Sequence, residues 1–257
     1  MAGCKTNKSF AITHGLEELF EEKVLISKKG TENSKMRIEK GKLYAVITGD
    51  IVNSSKLPSE QRQRLHRIMK EGSKALRKAF KESVPLDADI FRGDSWQLLV
   101  ADPSMSFRIG LFYRAYLRAW METSRLDTRM GIAVGIVDFV PDDRVSRGDG
   151  QAYQYSGNAL EEMTKASNMS FRFPGRGIEE PLDILIQLVD VLAMNWSEKQ
   201  ALAITGALEG WKQEKIGSLW KPPITQQSVN RHLQRAGWFA VERAIRFFEK
   251  QLLEAVI

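Results

Sequence analysis

The sequence contains a single cysteine, Cys4, and only three histidines among its 257 residues. One cysteine excludes an internal disulfide framework and every zinc site built from several thiolates. His14, His66 and His232 are far apart in the sequence, which favours packed or solvated side chains over a histidine metal triad. Low cysteine use is typical of a reducing compartment, so we expect a cytoplasmic protein.

Long hydrophobic runs are also missing. No stretch of about 18 or more apolar residues occurs, and a membrane-spanning helix needs roughly this length. The first residues are polar and include Lys5 and Lys8, without the apolar stretch of a secretory signal. We therefore expect no membrane-spanning segment and no membrane partner.

Positive charge is in excess and is unevenly distributed. The formal net charge is +6 and the pI is about 9.3. Residues 211–235 are strongly basic, and Glu214 is their only acidic residue. The basic residues in this stretch are Lys212, Lys215, Lys221, Arg231 and Arg235. Such a local patch is suited to contact with nucleic-acid phosphates.

Three regions are predicted along the chain. Residues 1–40 form an N-terminal extension, with a short amphipathic helix expected at 16–26 and a polar, lysine-rich linker after it. Residues 41–177 have the pattern of a sheet domain and end at Pro174-Gly175-Arg176-Gly177, a typical boundary. Residues 178–257 are predicted to be helical.

The sheet domain shows the order β-α-β-β-α-β. Residues 43–48 are continuously apolar, as expected for a strand buried on both faces. The other predicted elements are helices at 58–80 and 105–121, strands at 88–91, 95–100 and 129–137, then a helix at 155–167 and a strand at 170–173. This order predicts an α+β domain with a ferredoxin-like, or split βαβ, antiparallel sheet.

Two aspartates stand at the ends of predicted strands. Asp50 closes the apolar run 44–50, and Asp94 opens the run 93–100. In a split βαβ sheet the first and third strands are antiparallel neighbours, so the end of one meets the start of the other. Two carboxylates that converge there suit Mg²⁺ or Mn²⁺, because both ions prefer oxygen ligands.

Each aspartate also has an ordinary explanation. Asp50 would serve as a loop cap, and Gly93-Asp94 as a hairpin turn. The placement of both acids at adjacent strand ends favours a ligand site instead. Small polar residues follow Asp50 just before a predicted helix start, where backbone amides bind phosphate groups. These predicted phosphate contacts are Asn53, Ser54 and Ser55.

Several of these motifs resemble those of class III nucleotidyl cyclases. Thr48-Gly49-Asp50-Ile51-Val52-Asn53-Ser54 is similar to their strand-end motif, and Phe91-Arg92-Gly93-Asp94-Ser95-Trp96 to their second metal motif. Arg129-Met130-Gly131-Ile132-Ala133-Val134-Gly135 is similar to their following strand. From residue 44 onward the chain more closely resembles the SatD family, which joins a cyclase-like domain to a helix-turn-helix. The resemblance implies a bound nucleotide and a Mg²⁺ or Mn²⁺ ion at Asp50, Ile51 and Asp94.

The sequence departs from active cyclases at three positions. In those enzymes a helix carries an asparagine and, four residues later, an arginine that stabilise the transition state. Counted from Gly157, the corresponding residues are Glu161 and Lys165. Glu161 would add negative charge where phosphoryl charge develops, and Ile90, at the base-selecting position, has no side-chain hydrogen-bond donor. The resemblance therefore implies ligand binding, with Lys165 on a phosphate, more than it implies the cyclase reaction.

Three short helices are predicted in the C-terminal region. Ser197-Glu198-Lys199-Gln200 has the capping-box pattern and begins the first of them. The second is expected at 212–219, and Pro222-Pro223 separates it from a third that Thr225 caps. Three short helices with a break before the third have the helix-turn-helix layout.

The third helix has a polar face rich in residues that form paired hydrogen bonds with base edges. The predicted DNA contacts are Gln226, Gln227, Ser228, Asn230, Arg231, Gln234 and Arg235. The alternative is a three-helix packing module with a polar surface. A last amphipathic helix at 238–253 either packs internally or pairs two subunits, and we expect a homodimer because operators usually match a two-fold protein symmetry.

The sequence thus predicts a DNA-binding regulatory protein whose cyclase-like domain senses a nucleotide with a divalent metal. Two alternatives remain open. One is a metal-dependent nucleotidyl cyclase or nucleotidyl transferase. The other is a structural dimerisation domain that carries a DNA-binding module.

Overall fold

The computed structural model describes residues 37–121, 126–141 and 144–256. The helix predicted at 16–26 lies outside these residues. The strands are β1 (Leu43–Val52), β2 (Asp89–Phe91), β3 (Ser95–Val100), β4 (Asp127–Ile136) and β5 (Met169–Arg172). The helices are α1 (Ser59–Ala79), α2 (Ser106–Trp120), α3 (Gln151–Glu161), α4 (Glu179–Met194), α5 (Glu198–Leu208), α6 (Gln213–Gly217), α7 (Gln226–Arg235) and α8 (Trp238–Val256).

The five strands form one mixed sheet in the order β2-β3-β1-β4-β5. β1 is central and runs antiparallel to both β3 and β4. β5 adds to the edge of the sheet, parallel to β4. The first four strands have the order and directions of a split βαβ sheet, so the predicted α+β fold with a helical C-terminal region is confirmed.

The two faces of the sheet are covered by different helices. Ala45 and Ile47 of β1 belong to the large core that contains α1 and α2. Tyr44 and Val46 point to the opposite face, where they share a smaller core with Ala152 of α3. Alternation along a strand sends successive side chains to opposite faces, so burial of both faces explains the continuous apolar run of β1.

The C-terminal helices pack onto the same large core as the sheet. α2 is almost wholly buried, and α5 lies against it. Phe248 of α8 has its ring 5.3 Å from that of Phe107 in α2 and 5.1 Å from that of Phe171 in β5. One hydrophobic core therefore extends from the sheet to the last helix.

Buried ion pairs reinforce this junction. Arg114 of α2 donates from Nε to Asp127 at 2.9 Å and from Nη1 to Asp190 of α4 at 2.5 Å. Arg108 donates to Glu249 of α8 at 2.6 and 3.1 Å. The guanidinium groups on α2 thus link the sheet to α4 and α8.

Some predicted boundaries were wrong. The helix predicted at 155–167 begins at Gln151 and ends at Glu161, because Gly150 (φ 134°) marks the start and the following residues turn back to the sheet. In that turn the backbone N–H of Asn168 donates to Asp190 at 2.6 Å. The helix predicted at 212–219 is only Gln213–Gly217.

The predicted boundary at 174–177 lies in an exposed connection between β5 and α4. Among the described residues, no helix combines the length and the apolar character that crossing a bilayer requires.

Candidate functional site

Asp50 lies near the end of β1, directly opposite Arg129 on β4. The guanidinium of Arg129 donates from Nε to Asp50 Oδ1 at 3.0 Å and from Nη2 to Oδ2 at 2.6 Å. The two side chains are 26% and 35% exposed, so solvent reaches the pair. The pKa of Arg129 is raised, first by its hydrogen bond with Asp50, so the guanidinium stays charged.

Asp94 lies in the tight turn between β2 and β3. Arg92 and Gly93 adopt positive φ angles of 52° and 87°, which close the hairpin. The carboxylate of Asp94 accepts a short hydrogen bond from the hydroxyl of Ser54. Because Gly49 pairs with Trp96 in the β1–β3 register, the end of β1 after Asp50 and the start of β3 after Asp94 lie side by side.

A buried indole fixes this edge. Trp96 donates from Nε1 to Thr128 Oγ1 at 2.9 Å, and Thr128 Oγ1 donates to the backbone carbonyl of Asp50 at 2.7 Å. Gly49 is required beside the indole, since a Cβ there would lie 2.5 Å from Trp96 and 2.6 Å from the carbonyl of Arg129. The register that opposes Asp50 to Arg129 is therefore held by packing below the site.

The predicted phosphate contacts do not form one helix start. Asn53 has a left-handed conformation (φ 63°), and Ser54–Lys56 form a separate 3-10 turn before α1. Ser54 is buried and donates to Asp94, whereas Asn53 and Ser55 are exposed. Lys165 lies beyond the end of α3, exposed in a turn.

The acids in this arrangement do not form a cation cage. Both carboxylate oxygens of Asp50 accept from Arg129, and Asp94 accepts from Ser54. No group of three or more His, Cys, Asp or Glu side chains suited to a metal occurs in the part of the chain that the structure describes. Ile51 is buried, with only its backbone able to contribute oxygen.

Ile90, Glu161 and Lys165 correspond in sequence to catalytic or base-selecting positions of cyclases, and the structure shows where each one lies. Ile90 pairs with Trp96 across the β2–β3 hairpin and is half-buried. Glu161 is the last residue of α3 and is exposed, and Lys165 is not on that helix. The helical spacing expected between Glu161 and Lys165 is therefore not present.

A second candidate site is the outer face of α7. Val229 and Leu233 are buried beneath it, and the Thr225 hydroxyl accepts from the backbone N–H of Ser228 at 3.3 Å as the N-terminal cap. Trp220 stacks on His232 with ring centroids 5.6 Å apart. These contacts seat α7 firmly on the helices before it.

The predicted DNA contacts on α7 are mostly exposed. The exposed residues are Gln226, Gln227, Arg231, Gln234 and Arg235. Ser228 and Asn230 are half-buried and have partners within the chain. The hydroxyl of Ser228 bonds with Thr225 at 3.1 Å, and Asn230 accepts from Gln213 at 3.4 Å.

The surroundings of α7 are positively charged. The pKa of His232 is lowered, first by burial and then by Lys199, Arg235 and Arg231. The ammonium group of Lys215 lies 3.7 Å from the ring centroid of Trp211, a cation–π contact that holds this charge at the surface. Basic residues of α5, α6 and α7 therefore lie near the exposed face of α7 that carries Gln226 and Gln227.

Sequence reasoning missed two of these features. In the sequence Arg129 stands out only as part of a strand motif, because its pairing with Asp50 follows from the β1–β4 register. Lys199 stands out only as part of a capping box, yet in the structure it lowers the pKa of His232. The sequence did contain a signal for this pair. Arg129 lies near the start of a predicted strand and Asp50 near the end of another, and opposite charges pair across neighbouring antiparallel strands.

No protein-family model matches the chain, and no curated protein matches it. Among solved structures, the chain is similar to a bacterial light-regulated adenylyl cyclase, with 13% sequence identity and a TM-score of 0.36. The match covers 65% of this chain and 57% of that protein's chain, so this chain spans less than two thirds of the structure that it matches. Membership of the SatD family stays a prediction.

Proposed function

We propose that this chain is a DNA-binding regulatory protein in which α7 contacts the bases. The observation that supports this most strongly is the exposed face of α7, where two glutamines precede Arg231 and no acid occurs. Gln and Arg form paired hydrogen bonds with base edges in the major groove, whereas lysines mainly meet phosphates.

The mounting of α7 supports the same proposal. Recognition requires a helix that stands out from its scaffold yet is held rigidly, and α7 buries only Val229 and Leu233. The lysines at positions 199, 212 and 215 are exposed on the two helices before it. They would contact the DNA backbone on either side of the groove that α7 enters.

The sheet is proposed to bind a nucleotide at the edge formed by Asp50 and Asp94. Support comes from the convergence of these two strand ends with the 53–55 turn. The route from this edge to the helices is short, because Asp127, at the start of β4, pairs with Arg114, which also holds α4 through Asp190. A ligand that shifts β4 would act on the helices through this buried pair.

A homodimer is part of the proposal. The exposed side of α4 presents four aliphatic side chains with no charge among them: Ile184, Leu188, Val191 and Leu192. Leu192 also lies 3.4 Å from the position of a Cβ on Gly237, between α7 and α8. Pairing two copies here would hold two α7 helices in one assembly, as two-fold operators require.

The proposal is tested by fluorescence anisotropy at physiological salt with a labelled duplex that the full chain has selected from a randomised pool, so that base contacts contribute to the affinity. Arg231→Ala is expected to weaken binding about tenfold, in line with the loss of roughly 1–3 kcal/mol for a base-contacting arginine. Arg77→Ala is the matched control, because Arg77 is an exposed arginine on α1 that pairs with Asp87 at 3.7 Å.

Two results would count against the proposal. One is equal affinity for the wild type and Arg231→Ala, and the other is equal loss in Arg231→Ala and Arg77→Ala. Circular dichroism of both variants separates a loss of contact from a loss of fold.

A second candidate function is a nucleotidyl cyclase or transferase. The neighbouring positions of the strand ends that carry Asp50 and Asp94 favour it. Incubation with Mn²⁺ and each of ATP, GTP, CTP and UTP, with all products resolved, tests it. A cyclic or pyrophosphate product that disappears in Asp50→Asn would establish the enzyme and demote the regulator.

A further inference from the structure

We infer that the guanidinium of Arg129 takes the place of a divalent cation at Asp50, so that this site binds a phosphate group without a metal. The inference deepens the nucleotide-sensing part of the proposed function and does not depend on DNA binding.

The backbone itself imposes the ion pair. Asp50 and Arg129 are directly opposed in the antiparallel β1–β4 register, so their side chains leave the same face of the sheet. The pair uses both carboxylate oxygens and two guanidinium nitrogens, at 3.0 and 2.6 Å. This is the strong bidentate form of a charge-assisted hydrogen bond.

A divalent ion would have to compete with this pair for Asp50. Mg²⁺ demands near-octahedral oxygen coordination, and here each Asp50 oxygen already accepts from Arg129 while Asp94 accepts from Ser54. A metal bound to Asp50 would also lie beside the guanidinium, and two positive charges at such a distance repel each other. Arg129 therefore competes with a metal for the same carboxylate.

The same guanidinium still has hydrogen-bonding capacity. Arg129 contacts Asp50 through Nε and Nη2, and within the described residues its Nη1 donates to no other group. The side chain is 35% exposed, so Nη1 is open to a ligand at the sheet edge. Arginine N–H groups match phosphate oxygens in charge and geometry.

The exposed turn beside the pair suits the same ligand. Asn53 and Ser55 are exposed in the segment that follows β1. Their side chains add neutral hydrogen-bond donors to the surface just beyond the strand that carries Asp50, which suits a ligand with several phosphate groups. The assignment commits to a phosphate-bearing ligand held by an arginine, with Asp50 acting as the group that orients it.

Calorimetric titration of the full chain tests this with two probes, inorganic triphosphate in the presence of EDTA and Mn²⁺ alone. The wild type is expected to bind triphosphate in EDTA and to show no saturable Mn²⁺ site. Arg129→Gln should weaken triphosphate binding about tenfold, the effect of losing one charged hydrogen-bond donor. The same variant should gain a Mn²⁺ site, and Arg129→Gln combined with Asp50→Asn should lose it again.

Arg77→Gln is the matched control and should behave as the wild type with both probes. Arg129→Lys retains the charge, so it should lose less triphosphate affinity than Arg129→Gln and gain no Mn²⁺ site. The inference is overturned if the wild-type chain binds Mn²⁺ through Asp50. It is also overturned if the wild type does not bind triphosphate in EDTA, or if Arg129→Gln binds it as tightly as the wild type. DNA binding that persists in those cases would leave the DNA-binding proposal standing.

Discussion

Arg114 is a charged residue buried in the core of the molecule. Its side chain is 1% exposed, and it contacts the carboxylates of both Asp127 and Asp190. Burial alone would lower the pKa of Arg114, but the two carboxylates raise it above its ordinary value. Asp190 also accepts from the backbone N–H of Asn168 and from the hydroxyl of Ser167, so the network is well satisfied.

Arg114→Ala is expected to lower the free energy of unfolding by about 3–5 kcal/mol, because it leaves the buried Asp190 without a cation and Asp127 with only Arg118, at 3.4 Å. Urea denaturation followed by circular dichroism measures this. Arg246→Ala is the control, since Arg246 is exposed and pairs with Glu242 one turn away on α8, and it should cost only about 0.3–0.5 kcal/mol. Similar losses in the two variants would contradict the network described above.

Glu209, at the end of α5, makes stability depend on pH. Burial raises the pKa of Glu209 from 4.5 to about 7, against the opposing effects of Lys215 and Lys78. The folded state therefore holds a proton over a pH range in which the unfolded state has released it. The stability linked to this proton is fully present below about pH 4.5 and is lost as the pH rises through about 7.

Glu209→Gln should remove this dependence. We expect the variant to gain melting temperature relative to the wild type at about pH 8 and to gain much less at about pH 5. Thermal unfolding at both pH values measures the difference. Glu214→Gln, at an exposed position on α6, should shift the melting temperature equally at the two pH values. An equal shift for Glu209→Gln would refute the role of its burial.

At the level of elements, the close approach of α3 to β4 depends on two glycines of β4, Gly131 and Gly135, and is tightest at Gly131. A Cβ on Gly131 would lie 2.3 Å from the backbone carbonyl of Ser156, which cannot move without the helix. The hydroxyls of Thr48 and Ser156 are 2.8 Å apart, so α3 is also tied to β1. The helix therefore lies over the face of the sheet that carries Asp50.

Gly131→Ala should lower the free energy of unfolding by about 1–3 kcal/mol, since the added methyl group pushes α3 away from β4. Gly157→Ala, on α3 itself, meets open space and should instead stabilise by about 0.5–1 kcal/mol through helix propensity. Chemical denaturation of the pair gives both values. Changes of the same sign in the free energy of unfolding of the two variants would contradict the tight contact at Gly131.

The elements were largely predictable from the sequence, and their partners were not. The apolar run of β1, the capping box at Ser197 and the cap at Thr225 are local patterns, and the structure confirms all three elements. The pairing of Asp50 with Arg129 joins residues that are 79 positions apart and depends on strand register. The connection that follows α3 likewise depends on a tertiary contact, since the backbone N–H of Asn168 donates to Asp190, which is 22 positions away.

At the scale of the whole molecule, the sheet and the C-terminal helices share one core. Phe248 of α8 packs on Phe107 and Phe171, and Arg108 binds both Glu249 and the carbonyl of Leu208. A ligand signal from the sheet would reach α7 through these packed helices rather than through a flexible linker.

We therefore expect one cooperative unfolding transition for the described residues. Unfolding curves from far-ultraviolet circular dichroism and from tryptophan fluorescence should coincide, because the tryptophans occur both in the sheet and in the helical region. Two separate transitions would show that the helical region folds independently and would weaken the proposed coupling.

The proposal that α7 reads DNA is tested most directly by selecting bound duplexes from a randomised pool with the full chain. The account predicts that the wild type enriches a defined sequence and that Gln227→Ala changes the preferred base at one position. Lys212→Ala, at a residue proposed to meet the phosphate backbone, should weaken binding to every sequence alike. If the wild type enriches no sequence, or if Gln227→Ala leaves the preference unchanged, α7 is not a base-reading helix.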